Sequence, residues 1–158
     1  CPADALVSRE AGEAVRVVAA DCVPILLAHR DGPGVAAVHA GWKGTLARIA
    51  EAAANGLGGG RELVAYVGPC IGACCYTVDE ERYGRFEEAF PGWLPPAGPR
   101  PSLDLRALNV RLLAEAGVEP ASIRVEERCT ACGDGLCCSY RRDGEQAGRM
   151  AALIGRRR

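Results

Sequence analysis

The sequence predicts a mixed α/β fold in one domain spanning residues 1–158. Short β-branched apolar runs and helix-periodic segments are interleaved along the whole chain, without strict β-α-β alternation and without a repeat period. A length of 158 residues suits one domain, and a hydrophobic content of 49% is enough to build a core.

Residues 15–20 and 25–29 read as strands, and 35–38 follows across the turn signal Asp31-Gly32-Pro33-Gly34, so the last two form a hairpin. From Thr45, the apolar residues Leu46, Ile49, Ala50 and Ala53 recur at helical spacing, with a stop at Gly56 and Gly58-Gly59-Gly60. Residues 62–67 form a strand that runs into Gly68-Pro69-Cys70-Ile71-Gly72. Residues 75–78 are extended, and Asp79 caps a charged helix reaching Phe90. The segment 91–101 is a loop, since it holds five prolines. Asp104 caps a second helix with Leu105, Leu108, Leu112, Leu113 and Ala116 on one face and Gly117 as its stop. A strand is expected over 123–126, a loop over 129–135, a strand over 137–141 and a short helix over 146–154.

Charge excludes some partners. Nineteen Lys+Arg against 20 Asp+Glu leave a formal charge of -1, without the basic excess that neutralises nucleic-acid phosphates. The longest apolar stretches, such as 23–28 and 35–40, fall far short of the roughly 18 residues of a membrane span. Nine Cys, an odd number that includes the adjacent pairs Cys74-Cys75 and Cys137-Cys138, suit reduced thiols or metal ligands better than a secreted disulfide framework. The expected compartment is therefore the cytoplasm. The chain begins at Cys1 without a signal pattern, so an upstream segment is expected to be missing.

Three constellations carry candidate chemistry. In the first, Ala20-Asp21-Cys22 and Val38-His39-Ala40-Gly41-Trp42-Lys43-Gly44 lie at the ends of neighbouring strands, which brings Cys22 towards His39. A thiol beside an imidazole supports a Cys-His nucleophile pair or two ligands of a zinc site; the plainer reading is a buried Cys and a hydrogen-bonded strand-end His. The second is Cys129-x-x-Cys132 followed by Cys137-Cys138. Its spacing is poor for a four-thiolate zinc site, so packed or loop thiols are the preferred reading there and at Cys70, Cys74 and Cys75. The third is Arg141-Arg142, two guanidinium groups suited to phosphate or carboxylate, with a surface pair bridged to Asp143 as the alternative.

Taken in order, Ala20-Asp21-Cys22-Val23-Pro24, His39-Ala40-Gly41-Trp42-Lys43-Gly44, Gly68-Pro69-Cys70-Ile71-Gly72, Leu103-Asp104-Leu105, Ser139-Tyr140-Arg141-Arg142-Asp143 and Gly148-Arg149-Met150-Ala151 resemble the bacterial laccase-domain family, also called multicopper polyphenol oxidoreductases. The resemblance runs from about residue 3 to residue 154. It implies a four-layer α/β/β/α sandwich with mixed sheets. It also implies purine nucleoside phosphorylase activity on adenosine, inosine and methylthioadenosine, with adenosine deaminase activity alongside. The partners would be a purine nucleoside and phosphate. In the family's metal site, a His, the Cys of Ala-Asp-Cys and the His of His-Ala-Gly-Trp are the ligands. The last two carry over to Cys22 and His39, with zinc, or copper, as the ion; the first falls upstream of residue 3. Lys43 stands where Arg is common, and Cys137-Cys138 where aromatics are usual.

Cys22 and His39 are thus the expected catalytic and metal-ligating residues, and Lys43, Arg141 and Arg142 the expected anion-side residues. Two His in the chain cannot fill a full set of copper centres, each of which draws on several imidazoles, so the oxidase part of the family name gains no support. The competing classes are a metal-independent Cys-His thiol hydrolase or amidase, a zinc-binding interaction module built on the Cys129–138 thiols, and an inactive fragment.

Overall fold

The β-branched runs of the first third become β1 (Ala5–Ser8), β2 (Ala14–Ala19), β3 (Val23–His29) and β4 (Val35–Ala40) in the computed structural model, which describes residues 3–157. After them come α1 (Trp42–Leu46), α2 (Ile49–Gly56), β5 (Leu63–Val67), α3 (Glu80–Ala89), α4 (Leu105–Glu115), β6 (Ile123–Val125), α5 (Tyr140–Asp143) and β7 (Met150–Gly155). A five-stranded mixed sheet runs in the order β1-β4-β3-β5-β6, antiparallel except for the β5–β6 pair. A second sheet pairs β2 with β7, antiparallel.

Period-two alternation explains the layering. Val23, Ile25 and Leu27 of the central strand β3 face a core shared with Ala53, Phe86, Leu112 and Leu113 of the helices. Pro24 and Leu26 point the other way, towards β7. The β2–β7 pair packs on β1, β3 and β4, while α1 and α2 cover the opposite face and α4 lies on both helices. The described residues therefore form helix, sheet and sheet layers of the α/β/β/α arrangement. The outer face of the β2–β7 pair is exposed through Val18 and Leu153. Among the described residues no helix is long and apolar enough to cross a membrane.

Helix ends follow their caps. Asp79 accepts from the Arg82 N–H at 2.7 Å, and Asp104 from the Ala107 N–H at 2.9 Å. Because α4 supplies four buried leucines to the core, its cap is a clean probe: Asp104→Ala should cost about 1 kcal/mol. Urea unfolding should show a lower midpoint with an unchanged slope; an unchanged midpoint would mean the cap bond contributes nothing.

The structure departs from the sequence reading in four places. The single helix expected from Thr45 to Gly56 is broken, because Arg48 adopts φ 56° in the left-handed region. That conformation costs a non-glycine residue roughly 1–2 kcal/mol. Its guanidinium offsets this by pairing with Glu51, and with Glu115 at 2.6 Å, beneath the rings of Phe90 and Trp93. The strand expected over 137–141 is instead a loop running into the short helix α5, whose N-cap Ser139 accepts from the Arg142 N–H. The helix expected over 146–154 is instead β7: alternate residues from Met150 face β2's inner side, and pairing from Ala19↔Met150 to Ala14↔Gly155 outweighs the helix propensity of Ala151-Ala152. Finally β1, which the sequence reading did not anticipate, pairs with β4 from Ala5↔Val38 to Ser8↔Val35.

Candidate active site

Strand register brings Cys22 and His39 together. Pro24 pairs with His39 and Val23 with Ala40, so Cys22, one residue before β3, arrives beside Gly41. A Cβ placed on Gly41 would lie 3.1 Å from Cys22 Sγ and 3.8 Å from His39 Cε1, so glycine here gives the thiol room beside the imidazole. His39 Nδ1 lies 3.0 Å from Asp4 Oδ1. Nε2 is thus the nitrogen left to face Cys22 or an ion.

Hydrogen bonding to Cys22 is the largest influence on His39; burial opposes it, and the Asp4 carboxylate adds to it. The imidazole pKa rises from 6.5 to about 9. Its charge therefore stabilises the metal-free fold fully below about pH 6.5, and that contribution is lost as pH rises through about 9. NMR of the metal-free protein should place the His39 titration near pH 9, and Cys22→Ala should move it down towards 6.5. A titration near 6.5 before substitution would disprove the thiol–imidazole contact.

Asp21 organises the neighbourhood. It is 8% exposed and adopts φ 83°. Its Oδ1 accepts from Thr130 Oγ1 at 2.6 Å and its Oδ2 from the Arg141 N–H at 2.7 Å, while its backbone carbonyl accepts from the Ile71 N–H at 2.9 Å. One residue thereby ties three segments around Cys22, two of them through its carboxylate and the third through its backbone. Sequence reasoning placed Asp21 in a motif but gave it no role; its signal is a buried, left-handed backbone position visible only in three dimensions.

Cys22, His39, Asp21, Ile71, Tyr76, Tyr140, Arg141 and Arg149 line a cavity of about 430 Å³. Two other clefts, of about 410 and 320 Å³, lie on the sheet and hold no cysteine or histidine. Of the expected anion-side residues, Arg141 reaches the cavity, braced by Cys75 O at 2.8 Å and Thr77 O at 3.1 Å and lying over the Tyr76 ring. Arg149, to which the sequence reading gave no role, also lines the cavity. Lys43 sits over the Trp42 ring outside the lining, and Arg142 is spent on Thr130 O, Cys137 O and Asp143. Burial pushes the Tyr76 phenol up, keeping it protonated.

The donor chemistry of Cys22 and His39 fits zinc, with a soft thiolate, an imidazole and a carboxylate behind Nδ1. It is a partial set. Among the described residues, the group of three or more close ligand atoms lies elsewhere, at Cys74, Cys75, Cys129 and Cys132. This revises the second constellation: Cys129 and Cys132 meet Cys74 and Cys75, not Cys137 and Cys138. Burial pushes the Cys129 thiol up, but the N–H groups of Gly72, Cys132 and Ala131 outweigh it and hold its pKa at about 6.

The family model described as multi-copper polyphenol oxidoreductase laccase matches residues 1–157. Purine nucleoside phosphorylase YlmD of Geobacillus stearothermophilus is 40% identical over 169 residues, covering 98% of this chain and 60% of that protein. The crystal structure of YlmD from the same organism superposes with a TM-score of 0.88 at 37% identity, over 98% of this chain and 61% of that one. Adenosine deaminase RL5, from an unknown prokaryotic organism, is 36% identical, over 98% of this chain and 62% of that protein. The chain spans about 60% of the length of these curated relatives. With a match over residues 1–157 and a shared fold, the chain belongs to the multi-copper polyphenol oxidoreductase laccase family.

Proposed function

We propose that this chain carries the catalytic site of a purine nucleoside phosphorylase that also deaminates adenosine, acting on adenosine, inosine and methylthioadenosine with phosphate as the second substrate. The observation that carries the reading is the Cys22–His39 pair at the wall of a cavity that also holds Arg141 and Arg149, in a chain 40% identical to a protein named purine nucleoside phosphorylase. Cys22 Sγ and His39 Nε2 would hold zinc or copper. Such an ion, when bound, supplies a Lewis acid and lowers the pKa of a bound water.

The chain's own residues do the rest. Asp4 fixes the His39 tautomer by holding Nδ1. Arg141, fixed by its carbonyl partners, and Arg149 place positive charge where a phosphate anion enters. Ile71 and the Tyr76 ring give the purine an apolar wall, and the protonated Tyr76 Oη is a donor for the departing base nitrogen. The test is phosphate-dependent release of hypoxanthine from inosine. Release that ignores phosphate would sink the reading.

The approach of Cys22 to His39 through the β3–β4 register also favours a second reading, in which Cys22 is the nucleophile of a thiol hydrolase or amidase with His39 as its base. It requires full activity in metal-free protein and inactivation on alkylating Cys22 alone.

A further inference from the structure

Four thiols converge at a place the Cys22–His39 site does not use. Cys74 and Cys75 lie in the turn after β5, where Gly72 O accepts from the Cys75 and Tyr76 N–H groups at 3.0 and 2.9 Å. Cys129 and Cys132 lie in the loop after β6. Because β5 and β6 are parallel neighbours, both loops leave the same end of the sheet, and the Thr130 N–H to Cys70 O bond of 3.0 Å joins them. All four Sγ atoms lie within 4.8 Å of one another, and Cys74 Sγ is 3.6 Å from Cys132 Sγ.

That spacing suits one ion. Zinc–sulfur bonds of about 2.3 Å in a tetrahedron put the sulfurs roughly 3.8 Å apart, whereas a disulfide needs about 2.05 Å. The loops are shaped around the sulfurs as well. The Gly72 N–H donates to Cys129 Sγ at 3.3 Å. A Cβ on Gly133 would lie 2.6 Å from Cys129 O, so the turn that closes the Cys129-x-x-Cys132 chelate needs glycine there.

We propose that Cys74, Cys75, Cys129 and Cys132 form a four-thiolate zinc site, structural in role and separate from Cys22 and His39. Each thiol gives up its proton as its sulfur binds. With four protein ligands no position is open for substrate. The ion instead clips the loop that walls the cavity through Ile71 and Tyr76 to the loop that holds Asp21 from behind. One supplies Cys75 O and Thr77 O to Arg141, the other supplies Thr130 to Asp21.

The test uses the chain carrying Cys22→Ala and His39→Ala, purified under reducing conditions, so that it is independent of the proposed activity. Elemental analysis should find about one zinc per chain. Replacement by Co²⁺ should give the intense tetrahedral d–d bands and sulfur-to-cobalt charge transfer of a thiolate site, with the cluster cysteines untouched. Cys129→Ser with Cys132→Ser, or Cys74→Ser with Cys75→Ser, should abolish both signals, whereas Cys137→Ser with Cys138→Ser should keep them. No bound zinc, a weak octahedral cobalt spectrum, metal retained without Cys74 and Cys75, or a Cys74–Cys132 disulfide in place of the ion would each overturn the proposal.

Discussion

Cys22→Ala and His39→Ala should each abolish measurable release of hypoxanthine from inosine and phosphate. A positioned proton-transfer group contributes about 10²–10⁴-fold, and each of these residues is also expected to lose the ion. The loss should appear in kcat, because neither side chain is needed to admit the nucleoside to the cavity. The double substitution should cost little more than either single one, as expected of two groups that act as a unit. Asp4→Ala should be milder, about 10–100-fold, because it removes the partner that orients His39 and leaves Cys22 and His39 themselves in place.

Both readings lose activity in these variants, and chelation and alkylation separate them. A thiol hydrolase would keep its activity in chelator-treated protein and lose it on alkylation of Cys22; the phosphorylase should lose activity to the chelator and recover it with Zn²⁺. Phosphorolysis that survives in both single variants would remove Cys22 and His39 from the mechanism altogether.

The parts of the fold governed by local rules were legible in the sequence. The β3–β4 hairpin follows from Asp31-Gly32-Pro33-Gly34, and α4 from its Asp104 cap and from Gly117, which adopts φ 88°. The Cys22–His39 contact was legible because it needs only two neighbouring strands. What was missed depends on partners distant in sequence. The strand β7 forms because β2 is available to pair with it, and the break at Arg48 is held by Glu115 from α4. The four-thiol cluster escaped because spacing was read within one segment, whereas its two halves meet through the parallel β5–β6 pairing. Arg141 and Arg142, adjacent in sequence, part company in α5: one braces the cavity wall and the other closes the turn beneath it.

Asp21→Ala should be the most destabilising single change around the cavity. The side chain is almost fully buried and accepts two hydrogen bonds, from the Thr130 hydroxyl and the Arg141 N–H. Bonds to a charged acceptor contribute about 1.5–3 kcal/mol each, and truncation leaves both donors without a partner. Alanine also resists the left-handed backbone at φ 83°, which asparagine tolerates. The expected loss is roughly 3–6 kcal/mol, a fall in Tm on the order of 10 °C or more for a chain of this size. Asp21→Asn should lose about half as much, because it keeps the backbone conformation and one acceptor oxygen but not the charge. Calorimetry of the three proteins checks the order. If Asp21→Ala and Asp21→Asn fall together by less than 1 kcal/mol, on the scale of about 0.5 kcal/mol typical of surface substitutions, then the carboxylate does not hold the loops, and the position of Cys22 must be set by the β3 register alone.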